Sequence, residues 1–419
     1  MDRKPNTPYP LSVVRTLALH AQGLTGHNLL DAKPTLASIE NTVQQLNYIQ
    51  IDTLNLIQRS HYIVLWSRLG NYTSADFDRL IYSSAERKLF EGVQSVAAII
   101  PLNNFRFQIP RMDRERESLI NWYTRMLEGQ GGEELVKVVL ERIRQEGALR
   151  ASDFEYHGPK RGSWWDWKPA KIALEYLFAR GDLMIANRVN FQRVYDLTER
   201  VLPQWVNNKP PTLVERDRYW IEQGLIALGI CQPDRLAEYG YHMRRAVPKS
   251  IQAEMLNEGV AVPVQAILAD GENLELLVHR DNLDTLERIA DGEIQAQRTT
   301  FLSFFDSLFW CRGRDMLYWK YRNILEAYNR QEKRQYGYFC LSILHQDRLV
   351  GRFDPKLERK TGVLRLKAIY LEPGNEPDEE LVNDVAGTMR DFMAFHQARE
   401  LVIEKSQPDE FGDKLLKVL

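Results

Sequence analysis

The sequence predicts an α+β protein in which tandem helix–helix–helix–hairpin units precede a small β-rich domain with a terminal helix. Three observations predict it. The order of three helices and a two-stranded hairpin occurs at least twice before residue 285. Period-two apolar runs then follow one another from Tyr336 to Tyr370, as strands of a meander do. Finally, 419 residues exceed what one hydrophobic core organises, while 44% hydrophobic and 27% charged residues describe a globular chain. The expected divisions are 1–130, 131–207, 208–285 and 286–419.

Pro10 to Ala21 reads as a first helix, with Leu11, Val14, Leu17 and Ala18 on one face. After a Gly-containing connection, Pro34-Thr35 opens a second helix through Leu46. Tyr48-Ile49-Gln50-Ile51-Asp52-Thr53 then alternates apolar and polar residues. A strand places Gln50 and Asp52 on one face and buries Ile49 and Ile51 on the other. Leu54 to Leu69 is apolar, with Arg59, His61 and Arg68 interspersed, and Gly70-Asn71 breaks it. Ser74 to Tyr82 is a short helix with Ser74 as its N-cap. Leu89 to Pro101 is apolar and crosses the core, and Arg114 and Arg116, interleaved with acids, read as a solvated helix face.

Glu133 to Glu146 is an amphipathic helix stopped by Gly147, and Ser152 caps a restart. Pro169 begins a helix to Arg180. Leu183–Arg188 and Phe191–Leu197 form a hairpin with Asn187 to Asn190 at its tip. This is the order of a winged helix, a module that places one helix in a DNA groove and a wing near the backbone, or else pairs proteins. Pro211–Ala227, Pro233–Tyr239 and Lys249–Glu258, followed by Val262–Leu268 and Leu274–His279, repeat the plan. Beyond them, Tyr336–Leu344, Arg348–Asp354 and Gly362–Tyr370 form the meander, Lys356 to Thr361 is a basic tip, and Glu376–Arg399 is a helix. The last domain is expected to be barrel-like.

Net charge is −2, but the charges are segregated. From Arg312 to Lys367 there are fourteen Lys or Arg against six acids. From Asp270 to Glu293 there are eight acids against two Arg. Segregation of this kind makes either a basic face on a near-neutral protein or a set of salt-bridged surfaces. No run of eighteen apolar residues occurs and Met1 to Pro10 is polar, so neither membrane span nor secretion is expected, and the cytoplasm is the expected compartment. Three widely spaced cysteines (Cys231, Cys311, Cys340) fit a reducing compartment and exclude an all-cysteine, four-ligand metal site within the chain. Walker, dinucleotide, HExxH and Gly-x-Ser-x-Gly patterns are all missing, so no cofactor or metal is expected.

Three groups of residues could carry chemistry or binding. Gln50 and Asp52 set an amide beside a carboxylate, able to orient water or face a developing cation; alternatively they are the solvated face of an edge strand. Trp164, Trp165 and Trp167 can stack on bases, or plug a core. Arg352, Lys356, Arg359 and Lys360 suit phosphate, or are an ordinary exposed basic turn.

Ile49-Gln50-Ile51-Asp52-Thr53, followed by Arg59, His61 and Leu65-Trp66-Ser67-Arg68-Leu69-Gly70, resembles the YcaQ family of bacterial DNA glycosylases, relatives of the AlkZ enzymes that unhook interstrand crosslinks. Further stretches share the resemblance: Tyr156-His157-Gly158, Trp164 to Pro169, Phe191 to Leu197 with Glu199 to Pro203, Phe305 to Leu308 with Trp310 and Arg312, and Tyr336-Gly337-Tyr338 with Leu349 to Arg352. Together they span nearly the whole chain. Phe304 and Ser342 stand where relatives have proline, and Val93 and Ser95 where they often have Trp and His.

The resemblance implies tandem winged helices with a barrel-like C-terminal domain, and a Gln–apolar–Asp catalytic pattern that falls on Gln50 and Asp52. It also implies a double-stranded DNA substrate carrying alkylated or crosslinked guanine, bound by a monomer. Arg59, His61, Trp164, Trp165, Arg352, Lys356, Arg359 and Lys360 are the expected DNA-binding set. Two other classes share the architecture: a winged-helix transcription regulator that binds duplex DNA and cleaves nothing, and a protein-interaction scaffold. A helix-hairpin-helix glycosylase is disfavoured, since neither its hairpin nor its cluster cysteines are present.

Overall fold

The computed structural model describes residues 7–26, 33–118, 122–128, 131–154, 169–239, 249–269 and 271–419. It is a mixed α+β chain in two compact units. One comprises Met1–Ser74, Gln94–Ala98 and Arg218–Leu419; the other comprises Ala75–Val93 and Ile99–Asp217. No helix among the described residues is long and apolar enough to cross a membrane.

In the first unit, helix Leu11–Ala21 buries Val14, Leu17 and Ala18, as its period predicts. Helix Leu36–Leu46 begins at Thr35 in a capping box. The Thr35 hydroxyl accepts from the Ser38 N–H at 3.2 Å, while the Ser38 hydroxyl accepts from the Thr35 N–H. Apolar Leu54–Leu69 becomes a helix only from Ser60, because the preceding residues form the turn that carries Asp52. Strands Tyr9–Pro10, Ala261–Ile267, Asn273–His279 and Ile230–Cys231 make a four-stranded sheet. Its core residues Ala266, Leu276 and Val278 pack with Val14, Leu17 and Leu19.

The meander is present, as Leu341–His345, Arg348–Glu358 and Val363–Leu371, with the turn at Gln346-Asp347 where the sequence places it. The barrel is not. The six-stranded sheet runs from edge strand Thr299–Leu302 through the meander to Glu400–Ile403, with Ser406–Gln407 also on Val363–Leu371, and it stays open. The reason lies in helix Glu379–Phe395, capped by the Asp378 carboxylate at the Leu381 N–H (2.9 Å). It returns the chain so that the last two strands pair parallel to Val363–Leu371. It also lays Phe392 edge-on against Phe301 and Phe353, at 5.5 and 6.1 Å between ring centroids. A helix covers the apolar face that closure would otherwise have buried.

In the second unit, helices Gly132–Glu146 and Pro169–Ala179 pack through Val139, Ile143, Ile172 and Leu177 against Leu183, Ile185 and Leu197 of a three-stranded sheet. That sheet is ordered Leu149–Arg150, Gln192–Leu197, Leu183–Val189. Its hairpin turns on Asn190 and Phe191, both with positive φ (49° and 66°), a two-residue geometry that matches strand twist. Phe191 is an unusual residue for that conformation. The Arg188 guanidinium holds it, lying 4.0 Å from its ring and donating to its carbonyl at 2.8 Å. Ser152 caps no described helix: Ala151–Asp153 is a single 3₁₀ turn, closed by the Asp153 carboxylate on the Arg150 N–H at 2.8 Å.

Candidate active site

The Gln50–Asp52 stretch is shorter as a strand than its alternation suggests. Only Ile49–Gln50 is in a strand; Ile51 donates its N–H to the Ala97 carbonyl at 2.8 Å, and the chain then turns. Asp52 makes the turn: its Oδ2 accepts from the Leu54 N–H at 2.9 Å, the two-residue reach typical of aspartate in turns. Ile49 is buried as expected, whereas Ile51 is only half-buried. Asp52 is drawn inward, 8% exposed.

Burial pushes the Asp52 carboxyl above the ordinary carboxylate value. The Leu54 and Thr53 N–H groups and the nearby Arg59 charge pull in the other direction. A carboxylate that is poorly hydrated yet pinned by a backbone donor is a stronger base, and a stronger electrostatic partner for a cation, than one in bulk water. Two residues away in sequence, the half-buried Gln50 side chain makes no hydrogen bond to any described residue, which leaves its amide available to water or ligand.

Just before this turn in sequence, Tyr48 belongs to a buried aromatic floor. Tyr48 is fully buried, stacks on Trp310 (4.3 Å between centroids) and donates its hydroxyl to the Tyr239 carbonyl at 2.8 Å. Tyr239 in turn lies 5.1 Å from Trp310 and donates to the Leu46 carbonyl at 2.7 Å. Behind the floor, Arg68 and Asp306 form a buried two-point ion pair, with Arg68 Nη2 at 2.8 Å from Asp306 Oδ1. Arg68 Nε also donates to the Gln22 carbonyl at 3.0 Å. Arg298 then donates to the Ser67 and Arg68 carbonyls, at 2.9 and 2.6 Å, where helix Ser60–Leu69 ends. In the sequence Arg68 and Asp306 lie 238 residues apart, and nothing local joins them. A charged Arg68 inside an apolar helix and an Asp306 inside an aromatic run were the signals that each needed a buried partner.

The C-terminal hairpin meets the Asp52 turn directly. The Leu357 N–H donates to the Leu56 carbonyl at 3.1 Å. Arg359 Nη2 donates to the Ile57 carbonyl at 2.7 Å and to Asn55 Oδ1 at 2.9 Å. Arg359 thus braces the turn, while Lys356 and Lys360 are exposed on the same hairpin. Arg352 is not on the surface. It is 2% exposed, ion-paired to Glu372 at 2.6 Å and held between the Tyr321 and Tyr336 rings at 4.3 and 4.1 Å. Position 352 falls on the inward face of its strand, which the basic composition of the hairpin concealed.

Arg59 is half-buried at the N-cap of the Ser60–Leu69 helix, and His61 is buried in its first turn against the Tyr62 ring. Trp164 and Trp165 lie outside the described residues. One trio among the described residues, His345, Glu380 and Asp384, has potential metal-ligand atoms within 4.8 Å of one another. Its members already have protein partners: Thr299 Oγ1 lies 3.0 Å from His345 Nδ1, and the Gln346 amide donates to Glu380 at 2.8 Å.

The fold is similar to that of the Streptomyces sahachiroi DNA glycosylase AlkZ, with a TM-score of 0.60 and 13% identity over 95% of this chain and 100% of that one. The family described as DNA glycosylase AlkZ-like matches residues 43–395, a span that takes in the Asp52 turn, the aromatic floor, the Arg68–Asp306 pair and the bracing hairpin. This chain belongs to the AlkZ-like family of DNA glycosylases.

Proposed function

We propose that this enzyme hydrolyses the N-glycosidic bond of cationic N7-alkylguanine in duplex DNA, unhooking interstrand crosslinks among its substrates. One observation carries the reading: a buried carboxylate, Asp52, pinned by its own turn two residues after the uncommitted amide of Gln50. Alkylation at N7 makes guanine a cationic leaving group, so its departure needs no strong acid. The N9–C1′ bond breaks, the electron pair neutralises the base, and the sugar acquires oxocarbenium character. Asp52 stabilises that charge and takes the proton from the water whose oxygen bonds to C1′, while Gln50 orients the water. The glutamine–apolar–aspartate pattern puts the chain in the YcaQ branch of the family.

The helix-and-hairpin units ending at Leu197 and His279 are read as winged helices that seat the duplex, with Arg59, His61, Lys356 and Lys360 contributing to its binding. The protein acts as a cytoplasmic monomer. The test is a duplex carrying a single 7-methylguanine, incubated with the parent chain and with Asp52→Asn. The parent releases free base. The variant binds the duplex equally well but is slower by ~10²–10⁴-fold, the usual worth of a general base. Full activity in Asp52→Asn would overturn the assignment.

A further inference from the structure

Residues 327–335 form an ordered loop that bears Tyr328, the most exposed large apolar side chain among the described residues at 83%. A lone exposed aromatic is ordinary on a protein surface. This one differs in its setting. Glu326, 5% exposed, closes the loop by accepting the Gln335, Tyr336 and Gly337 N–H groups at 2.7, 2.8 and 3.2 Å. Arg334 Nε bridges the loop to the Asn329 carbonyl at 3.0 Å, and the Asp354 carboxylate fixes its exit through the Tyr338 and Phe339 N–H groups at 2.8 and 3.1 Å. A Cβ at Gly337 would sit 2.3 Å from Asp354 Oδ2, so glycine is what lets the exit pack that closely. The loop is therefore shaped, and the ring is displayed by construction rather than by slackness.

Two of its cations, Arg330 and Lys333, are also uncommitted and flank one exposed acid, Glu332, and Arg322 lies just before the loop. Arg322, Arg330 and Lys333 are exposed and have no acidic partner among the described residues. Arg365 and Lys367, by contrast, are tied to Glu358 and Glu404. Strand Arg348–Glu358 links the loop to the active site, since Asp354 holds the loop exit and Leu357 bonds the Asp52 turn. Three strand residues, about 10 Å, separate those anchors.

We propose that the 327–335 loop is a DNA-contact element, in which Tyr328 stacks on an unpaired base beside the lesion while Arg322, Arg330 and Lys333 take the flanking phosphates. The inference rests on the duplex-substrate reading above. The test measures binding of the full chain to a duplex with one tetrahydrofuran abasic analogue and an adjacent 2-aminopurine, across a salt series. Tyr328→Ala is expected to weaken binding about 5- to 150-fold and to change the 2-aminopurine fluorescence of the complex, whereas Tyr328→Phe retains both. The double variant Arg330→Ala/Lys333→Ala is expected to flatten the salt slope by about 1.8. Parent-like affinity, fluorescence and slope in these variants would overturn the loop's role while leaving the glycosylase reading intact. If the parent itself binds no duplex, both fall together.

Discussion

Asp52 is under two opposed demands. The proposed chemistry needs it ionised, but its burial disfavours the charge and raises its pKa. A carboxyl whose folded-state pKa lies above its unfolded value weakens the fold at pH values above both and relieves that cost as pH falls through the folded value. With Asp52 as the proposed base, activity is expected to run the other way and to be lost as the group protonates. The acid limb of kcat/KM for 7-methylguanine release should therefore lie above the ordinary aspartate value of 3.8. Asp52→Asn should melt no lower than the parent at pH 7, despite its loss of activity. A variant that melts well below the parent would mean that the ionised carboxylate stabilises the turn rather than straining it. Arg359 shows the complementary case, a cation read from sequence as a phosphate contact that is largely occupied in bracing this turn.

At the scale of elements, helix Ser60–Leu69 is tied to the rest of its unit by polar contacts inside the core. Ser60 and Ser303 hydroxyls meet at 2.9 Å near its start, Arg68 grips Asp306 near its end, and Arg298 donates to the Ser67 and Arg68 carbonyls of its last turn. Asp306 also accepts from the Leu308 N–H at 3.0 Å, capping the turn that leads to Trp310. Removing one member of a buried pair strands the other without solvent or partner. Asp306→Ala is thus expected to cost about 3–5 kcal/mol in denaturant unfolding. A loss below 1 kcal/mol would show that water enters and that the pair is not structurally essential. In the second unit the Glu91 carboxylate has a similar part: burial pushes its pKa up, but the Arg188 hydrogen bond and charge, with Arg193, bring it below the ordinary value. Those contacts steady the hairpin from beneath.

At the scale of the whole molecule, a net charge of −2 hides extensive internal pairing, and acid stability turns on a few buried groups. His396 is 8% exposed, packed on Phe392 and Phe395, and neither ring nitrogen has a hydrogen-bond partner. Burial, with some help from Arg359, lowers its pKa from 6.5 to about 4. The unfolded chain then binds the proton first, so stability falls as pH drops from 6.5 towards 4, by about 3 kcal/mol from this residue. His396→Leu should flatten the fall in melting temperature across that window, and an unchanged profile would place the acid sensitivity elsewhere.

Local signals in the chain determined much of this. The 3.6-residue apolar period set helices Leu11–Ala21, Gly132–Glu146 and Glu379–Phe395 close to where they are found, and alternation with turn residues set the meander. The Gln50-Ile51-Asp52 stretch stood out as a candidate because an amide and a carboxylate alternate with apolar residues there, although the strand ends at Gln50 and Ile51 is only half-buried. What tertiary structure alone decided depends on partners hundreds of residues apart. Arg68 meets Asp306, Leu357 meets Leu56, and Arg352 turns inward to Glu372 and two tyrosines. Neither composition nor spacing distinguishes an inward arginine from an outward one, because burial is a property of the assembled core. For the same reason the open sheet was not foreseen. Strand pattern specifies which face is apolar, but whether that face is covered by closure or by a helix is settled only when helix Glu379–Phe395 packs on it.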